Sequence, residues 1–202
     1  MRSSASRERA ARRLPVLDER VQRTEITEED WILGPPTAPV TMLEYGDFEC
    51  PHCAMARPVL EGLVAENPEM LRLVYRHFPV TTVHPHALMA AEAAEAAGAQ
   101  GQFWEMHNMI FAHQSQLAYD TLRACAVAIG LDVARFGLEM EEHVHLPQVR
   151  LDFRRGVRDG VNGTPTIFIN RLRYDGPRDH VSMLAAIVAA RKAAHGRVRG
   201  AA

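Results

Sequence analysis

Residues Tyr45 to Ala54, YGDFECPHCA, contain two cysteines, Cys50 and Cys53, with two residues between them. Val40 to Tyr45 is predicted as a buried strand, and a segment of helical pattern follows the pair, so the pair is expected at a strand-to-helix junction. A cysteine at such a junction meets unpaired N–H groups and the positive end of the helix dipole. Both favour the thiolate, which is the reactive form of cysteine. The stretch therefore predicts a reactive thiol at Cys50.

The residues around Cys50 are expected to tune that thiol in opposite directions. Pro51 suits the first helical turn, where its missing N–H would have been unpaired, and a protonated His52 would add a positive charge beside the sulfur. Asp47 and Glu49 oppose this, because nearby carboxylates raise the pKa of a thiol. A pKa near ~4 instead of ~8.5 would stabilise the reduced form by about 4 kcal/mol at neutral pH. We expect the helix and His52 to prevail.

The chain around the pair reads as two halves separated by a long insertion. The first half is β-α-β, with a helix after the pair that contains Pro58 and ends near Asn67, and a second strand from Leu71 to Phe78. Residues 79–160 are mainly helical in pattern, with helices opening at His84-Pro-His86, around GQFWEMHNMIFAHQ, and over about 119–129, 132–142 and 146–160. The second half is β-β-α, predicted as strands Thr166 to Ile169 and Leu172 to Tyr174 and a helix from Asp179 to Ala194.

Composition and pattern divide the chain into three segments. Residues 1–23 carry seven Arg against three acids without apolar periodicity, which predicts a flexible basic tail. Residues 24–195 are expected to form one domain, and residues 196–202 a short C-terminal tail.

The overall composition excludes several classes of function. Of the 202 residues, 47% are apolar, and the formal net charge of −2 gives no electrostatic case for nucleic acid. The longest apolar run, Met183 to Ala190, has eight residues, far short of the roughly 20 that span a bilayer. Three cysteines are too few for a disulfide-stapled scaffold, and the N-terminus has no hydrophobic signal segment. We therefore expect a cytoplasmic protein in which the cysteine pair is catalytic or metal-binding.

Three segments resemble the DsbA-like branch of the thioredoxin superfamily. They are VTMLEYGDFECPHCAMARP at 40–58, YRHFPVTTVHPHALMAAEAAEAAGAQGQFWEMHNMIF at 75–111, and VNGTPTIFIN at 161–170. Pro58 also stands where active-site helices of the thioredoxin fold commonly kink, and the similarity extends over about Trp31 to Ala190. The resemblance implies an α/β thioredoxin fold, β-α-β plus β-β-α, with an all-helical insertion.

The resemblance also implies roles for individual residues. Cys50 corresponds to the exposed nucleophile that forms a mixed disulfide, and Cys53 to the buried thiol that resolves it. Pro165 corresponds to a cis-proline facing the pair, and its neighbour Thr164 to the residue whose backbone binds an extended substrate. Glu44 corresponds to a strand carboxylate that helps move protons to the buried cysteine. Pro51 and His52 complete the predicted catalytic set.

The function implied is thiol–disulfide exchange with protein or peptide substrates, with an unidentified redox-recycling partner. It requires no cofactor beyond the redox-active disulfide of Cys50 and Cys53, and no metal. One alternative is a cytosolic metal-binding or redox-sensing module that uses the same pair. A closed zinc site needs four ligands, however, and no second CxxC or matching His pair is present, although His84 and His86 could supplement one. Another alternative is a glutathione-dependent isomerase or transferase, against which the intact pair argues.

Overall fold

The structure is a computed structural model, and it describes residues 17–199, with side chains described for 21–194. Its strands are β1 (Leu17–Val21), β2 (Trp31–Leu33), β3 (Val40–Gly46), β4 (Leu71–His77), β5 (Thr166–Ile169) and β6 (Leu172–Tyr174). Its helices are α1 (Pro51–Glu66), α2 (Ala87–Gly98), α3 (Phe103–Ala112), α4 (Tyr119–Ala128), α5 (Val133–Glu141), α6 (Leu146–Arg158) and α7 (His180–Arg199), with a 3₁₀ turn at Gln114–Gln116. Among these described helices, none combines the length and the apolar character that a membrane crossing needs.

The strands form one sheet in the order β1-β6-β5-β3-β4-β2. β3 and β4 run parallel from the pair Val40 and Leu71 to the pair Gly46 and His77, with α1 as the crossover between them. β5 is antiparallel to β3, and β6 is antiparallel to β5. The predicted thioredoxin fold, with β-α-β and β-β-α halves and a helical insertion between them, is therefore confirmed.

Alternation along the two parallel strands divides the core between the faces of the sheet. On one face, Met42 and Leu73 pack with apolar residues of α1 and α7, such as Leu60 and Ile187. On the other face lie Leu43, Tyr45, Val74 and Phe78, which form a separate cluster. Both faces of β3 are thus buried, as expected for a central strand with a parallel neighbour.

A glycine lets α6 lie close against the second face. A Cβ atom at Gly156 would come within 2.6 Å of the Phe78 ring and 3.1 Å of the Tyr45 ring. Those distances are shorter than van der Waals contact, so a larger residue would push α6 away from the sheet. Because the loop that follows α6 leads into β5, this helix helps to place Thr164 and Pro165 at the end of the sheet.

The predicted N-terminal tail is wrong at its C-terminal end. Residues 17–21 form β1, which pairs with β6, and the Gln22 N–H donates to the Arg171 carbonyl at 2.7 Å. Backbone pairing with an open sheet edge orders this segment, and a charge pattern does not reveal such pairing. Arg23, the last residue of the predicted tail, is also held, because its N–H donates to Asp159 at 2.7 Å. The rest of the predicted tail, residues 1–16, lies outside the described residues.

The predicted C-terminal boundary also needs correction. α7 continues to Arg199, so the first four residues of the predicted tail at 196–202 are helical. Helix-forming residues such as Ala and Arg extend the helix past the last apolar position that packs on the sheet. Residues 200–202 lie outside the described part of the chain.

Candidate active site

Cys50 stands at the junction between β3 and α1. It is the N-cap of α1 with extended backbone angles of φ −76° and ψ 120°, and Pro51 is the first helical residue. Cys50 is only 4% exposed, so the expectation of an exposed nucleophile is wrong: the residue is covered by the surrounding packing. Its Sγ lies 3.4 Å from the carbonyl oxygen of Thr164, to which the thiol form donates. The peptide bond between Thr164 and Pro165 is cis. The fold therefore brings together the two predicted parts of the site, which are more than a hundred residues apart in the sequence.

The surroundings of Cys50 favour its thiolate. Hydrogen bonding from the Cys53 thiol makes the largest contribution to lowering the pKa of Cys50 from 9.0 to about 5. Smaller contributions come from the Thr164 side chain and from the backbone N–H groups of Cys53 and His52. Burial acts in the opposite direction. With a pKa near 5, the thiolate outnumbers the thiol by about a hundredfold at pH 7.

Cys53 has the opposite character, although it lies only one helical turn further along. It is fully buried, and burial raises its pKa well above 9.0, with further contributions from Cys50 and from the carboxylate of Glu44. The backbone N–H of Asp47 donates to its Sγ at 3.5 Å, which partly offsets these effects. The two thiols therefore form a pair in which one is ionised and the other keeps its proton.

Glu44 lies beneath the pair, in the middle of β3. Its side chain is buried, and burial together with the carboxylate of Glu61 and the nearby Cys50 raises its pKa to about 8. Arg178 acts in the other direction but is outweighed. A carboxyl group with this pKa holds a proton at neutral pH and can release it, which is what a proton donor and acceptor for Cys53 requires.

His52 and the acidic residues were expected to shift the pKa of Cys50 in opposite directions through their side-chain charges, and the structure shows different contacts. Pro51 and His52 are exposed, and His52 acts on the Cys50 thiol through its backbone N–H. The buried carboxylate of Asp47 accepts hydrogen bonds at 2.8 Å from the Val80 N–H, the Glu49 N–H and His84 Nδ1.

Glu49 is held in a similar way by the other histidine of the His-Pro-His segment. Its carboxylate accepts from the His86 N–H at 2.7 Å and from His86 Nδ1 at 2.9 Å. The segment read from the sequence as a loop and helix start therefore holds both acidic side chains beside the cysteine pair. A pairing between residues 37 positions apart leaves no local pattern in the sequence.

Sequence reasoning missed two further residues that fix the site. Gln114, which follows α3, donates through Nε2 to the Phe48 carbonyl at 2.8 Å and to the Cys50 carbonyl at 2.9 Å. Arg178 donates to the carbonyl of Pro165 at 3.1 Å. Each holds the backbone of a loop from a distant segment, and no motif marks either residue.

A separate group of side chains has the composition of a metal site. In the part of the chain that the structure describes, this group consists of His77, Glu95 and Asp152. Each offers one possible metal-ligand atom, and these three atoms lie within 4.8 Å of one another. His77 Nε2 lies 2.9 Å from Glu95 Oε1, and Asp152 accepts from the His77 N–H at 3.2 Å. Protein contacts thus satisfy His77 Nε2 and the His77 N–H, and neither cysteine of the candidate active site belongs to the set.

A thioredoxin fold that presents a Cys-X-X-Cys pair opposite a cis-proline loop defines a class of thiol proteins. A family model described as thioredoxin matches residues 26–189 of the chain. The chain belongs to the thioredoxin family, and its structural neighbours are DsbA-like.

Three relatives illustrate the similarity. The Na(+)/H(+) antiporter NhaA 3 of Salinispora tropica is 41% identical over 86% of the chain, which spans 26% of the antiporter's length. A thioredoxin-like oxidoreductase from Silicibacter pomeroyi DSS-3 is 28% identical, with a TM-score of 0.72 over 82% of this chain and 94% of the other. Alpha-DsbA1 of Wolbachia pipientis is 20% identical, with a TM-score of 0.72 over 86% and 96% of the two chains, and shows the shared fold.

Proposed function

We propose that the chain is a thiol–disulfide oxidoreductase that exchanges disulfides with protein or peptide thiols through Cys50 and Cys53. The observation that carries the proposal is the difference between the two thiols, one with a pKa of about 5 and the other with a pKa well above 9.0. Such a pair supplies a thiolate that attacks readily and leaves readily, beside a second thiol that remains protonated until it is needed.

In the oxidising direction, the reaction begins with a disulfide between Cys50 and Cys53. A substrate thiolate attacks Cys50 Sγ, the bond between the two cysteines breaks, and its electron pair moves to Cys53, which takes up a proton. A second substrate thiolate then attacks the substrate sulfur of the mixed disulfide, and Cys50 leaves as a thiolate. The substrate loses two electrons and two protons. The pair gains both electrons and one proton, and the other proton goes to the solvent.

The neighbouring residues have defined parts in this scheme. Glu44 supplies the proton that Cys53 takes up, because its pKa of about 8 keeps it protonated at neutral pH. The backbone of Thr164, beside the cis peptide bond of Pro165, pairs with an extended substrate segment. Pro51 and His52 are exposed next to Cys50 and contact the substrate as it approaches.

The low pKa of Cys50 also favours reduction of the pair, and hence oxidation of the substrate. At pH 7, a thiol with a pKa of about 5 in place of 9.0 stabilises the reduced form by about 2.7 kcal/mol. For a two-electron couple this raises the reduction potential by roughly 60 mV. The sequence estimate of about 4 kcal/mol assumed a lower pKa.

The test compares three single replacements by serine in an assay that follows oxidation of a reduced two-cysteine peptide by the protein. Cys50→Ser is expected to abolish exchange, and Cys53→Ser to arrest the reaction at a mixed disulfide. Cys125→Ser is the matched control. Cys125 is buried in the insertion, and its replacement is expected to leave the rate of exchange unchanged. Full activity of Cys50→Ser would overturn the proposal. A stoichiometric metal bound to both thiols of the purified reduced protein would instead favour the metal-binding alternative.

A further inference from the structure

Polar atoms without partners are concentrated in one part of the molecule. In the described part of the chain, five buried side-chain nitrogen and oxygen atoms make no hydrogen bond: Arg57 Nε, Glu61 Oε1, Tyr75 Oη, His77 Nδ1 and His107 Nε2. Buried polar atoms are nearly always bonded, so each exception needs an explanation. All five belong to residues of β4, α1 and α3, and these three elements also contribute to the buried cluster that contains the cysteine pair.

Tyr75 forms the inner end of this group. It is fully buried and lies directly beside Glu44 in the register of β3 and β4. Its ring lies over Gly46, where an added Cβ would come within 2.4 Å of it, so the glycine makes room for the ring. Glu44 and Cys53 are among the groups that raise the pKa of Tyr75, which places its hydroxyl within their electrostatic reach.

His107 continues the group away from the cysteines. Its ring is buried, and its centroid lies 4.9 Å from that of Tyr75 with the two planes nearly perpendicular. Its Nδ1 lies 3.3 Å from Asn108 Oδ1 and 3.6 Å from Glu61 Oε1. Burial lowers the pKa of His107 to about 3, so the imidazole is neutral at pH 7, with one nitrogen that accepts a proton and one that donates.

Glu61 forms the outer end of the group. Its side chain is 23% exposed, and it pairs with Arg57, which also donates to Asn108 at 3.0 Å. Glu61 is in addition the nearby carboxylate that raises the pKa of Glu44, so the two ends of the group interact electrostatically. Titratable side chains therefore extend from the buried carboxyl of Glu44 to the surface.

The proposed exchange chemistry requires such a connection. Each time the pair is reduced, one proton must reach Cys53, and each time it is oxidised, that proton must leave. Cys53 and Glu44 are both buried. Glu44 can pass a proton to Cys53, but it must then take up another proton that comes from the solvent. His77 does not offer an equivalent route, because its Nε2 is already bound to Glu95 at 2.9 Å.

We propose that Tyr75, His107 and Glu61 form the route by which protons move between the solvent and the Glu44–Cys53 pair. The proposal rests on the proposed function and adds the path that its proton step needs. When Cys53 is reoxidised, Glu44 releases its own proton to Tyr75 and takes up the proton of Cys53, and Tyr75 and His107 each accept one proton as they release another. Glu61 delivers the proton to the solvent. No charge accumulates on the route, and water bound to the unpartnered atoms completes the hydrogen bonds between them.

The test follows the reaction of the reduced protein with 5,5′-dithiobis(2-nitrobenzoate) in a Cys125→Ser background. Attack by Cys50 releases the first thionitrobenzoate, and attack by Cys53 on the resulting mixed disulfide releases the second. Only the second step requires Cys53 to lose its proton. Tyr75→Phe and His107→Leu are expected to slow the second release on the order of 10- to 100-fold and to increase its solvent deuterium isotope effect, while the first release keeps its rate.

Matched controls separate this role from a structural one. Tyr45→Phe removes a buried hydroxyl from the opposite face of the sheet and is expected to leave both releases unchanged. Glu61→Gln alters the partly exposed end of the route, where folding is not at risk, and is expected to slow the second release even if Tyr75→Phe does not fold. If the second release in His107→Leu and Glu61→Gln stays within about twofold of the parent, the route is wrong. A parent protein without any second release would instead contradict the proposed function itself.

Discussion

Replacing Cys53 tests which group lowers the pKa of Cys50. The Cys53 thiol is the largest single cause of the low pKa of Cys50, ahead of Thr164 and the backbone donors. A hydrogen bond to a charged group contributes about 1.5–3 kcal/mol, which corresponds to about one to two pKa units. Cys53→Ala is therefore expected to raise the pKa of Cys50 from about 5 to between about 6 and 7.

A serine at the same position is the matched control. The hydroxyl of Cys53→Ser can still donate to the Cys50 thiolate, so the pKa is expected to stay within about half a unit of the parent value. The assay is the ultraviolet absorbance of the thiolate as a function of pH, in a Cys125→Ser background. Removing Cys125 leaves Cys50 as the one thiol that titrates in both variants.

The comparison has a clear negative outcome. If the thiol of Cys50 in Cys53→Ala titrates as it does in the parent protein, the N-terminus of α1 and its backbone N–H groups set its pKa. The Cys53 thiol would then not be the main cause of the low pKa of Cys50. If both variants rise equally, the sulfur of Cys53 acts by some means other than donating a hydrogen bond. Even without Cys53, the pKa is expected to remain below 9.0, because Thr164 and the backbone donors are retained.

Three further predictions concern stability, each measured by urea unfolding. Because the pKa of Glu44 rises from 4.5 to about 8 on folding, its ionisation destabilises the fold as pH increases through that window. Glu44→Gln should therefore stabilise the reduced protein by about 3 kcal/mol at pH 7 and hardly at all near pH 4. A difference in the free energy of unfolding between variant and parent that does not change with pH would contradict this. Gly156→Ala should destabilise by about 1–3 kcal/mol through overpacking, whereas Gly62→Ala, with nothing within 4 Å, should stabilise by about 0.5–1 kcal/mol. Asp47→Ala should cost about 2–4 kcal/mol, because it leaves three partly buried donors without their buried acceptor, and Glu49→Ala less than about 1 kcal/mol. Equal losses would contradict the difference in burial between the two carboxylates.

The central elements were predictable because their patterns are set by burial on both faces. The strand predicted from Val40 to Tyr45 ends one residue later in the structure, and the strand predicted from Leu71 to Phe78 ends one residue earlier. The five helices of the insertion were also anticipated within a few residues, since apolar positions recur along each at helical spacing. Local periodicity was therefore enough for this part of the fold.

The edge strands, and the residues that support the cysteine pair from distant segments, were not predictable from local periodicity. β2 has only three residues, too few to show a period, and β1 is the polar sequence LDERV. Gln114 and Tyr75 act through contacts with segments distant in sequence, and neither residue type is diagnostic of a redox site. The sequence predicted the cysteine pair and the cis-proline loop of the candidate site, but the groups that set the pKa values of the thiols depend on how separate segments pack.

The helical insertion is part of the candidate redox site, because α3 packs against both cysteines. Phe103, Met106 and Ile110 of α3 share one buried cluster with Cys50 and Cys53, so the insertion excludes water from the second thiol. That exclusion raises the pKa of Cys53, and the protonated Cys53 thiol in turn lowers the pKa of Cys50 through its hydrogen bond. A change in α3 that admits water near Cys53 would therefore weaken both effects at once and bring the pKa values of the two thiols closer together. The pKa of Cys50 thus depends on how tightly the insertion covers Cys53.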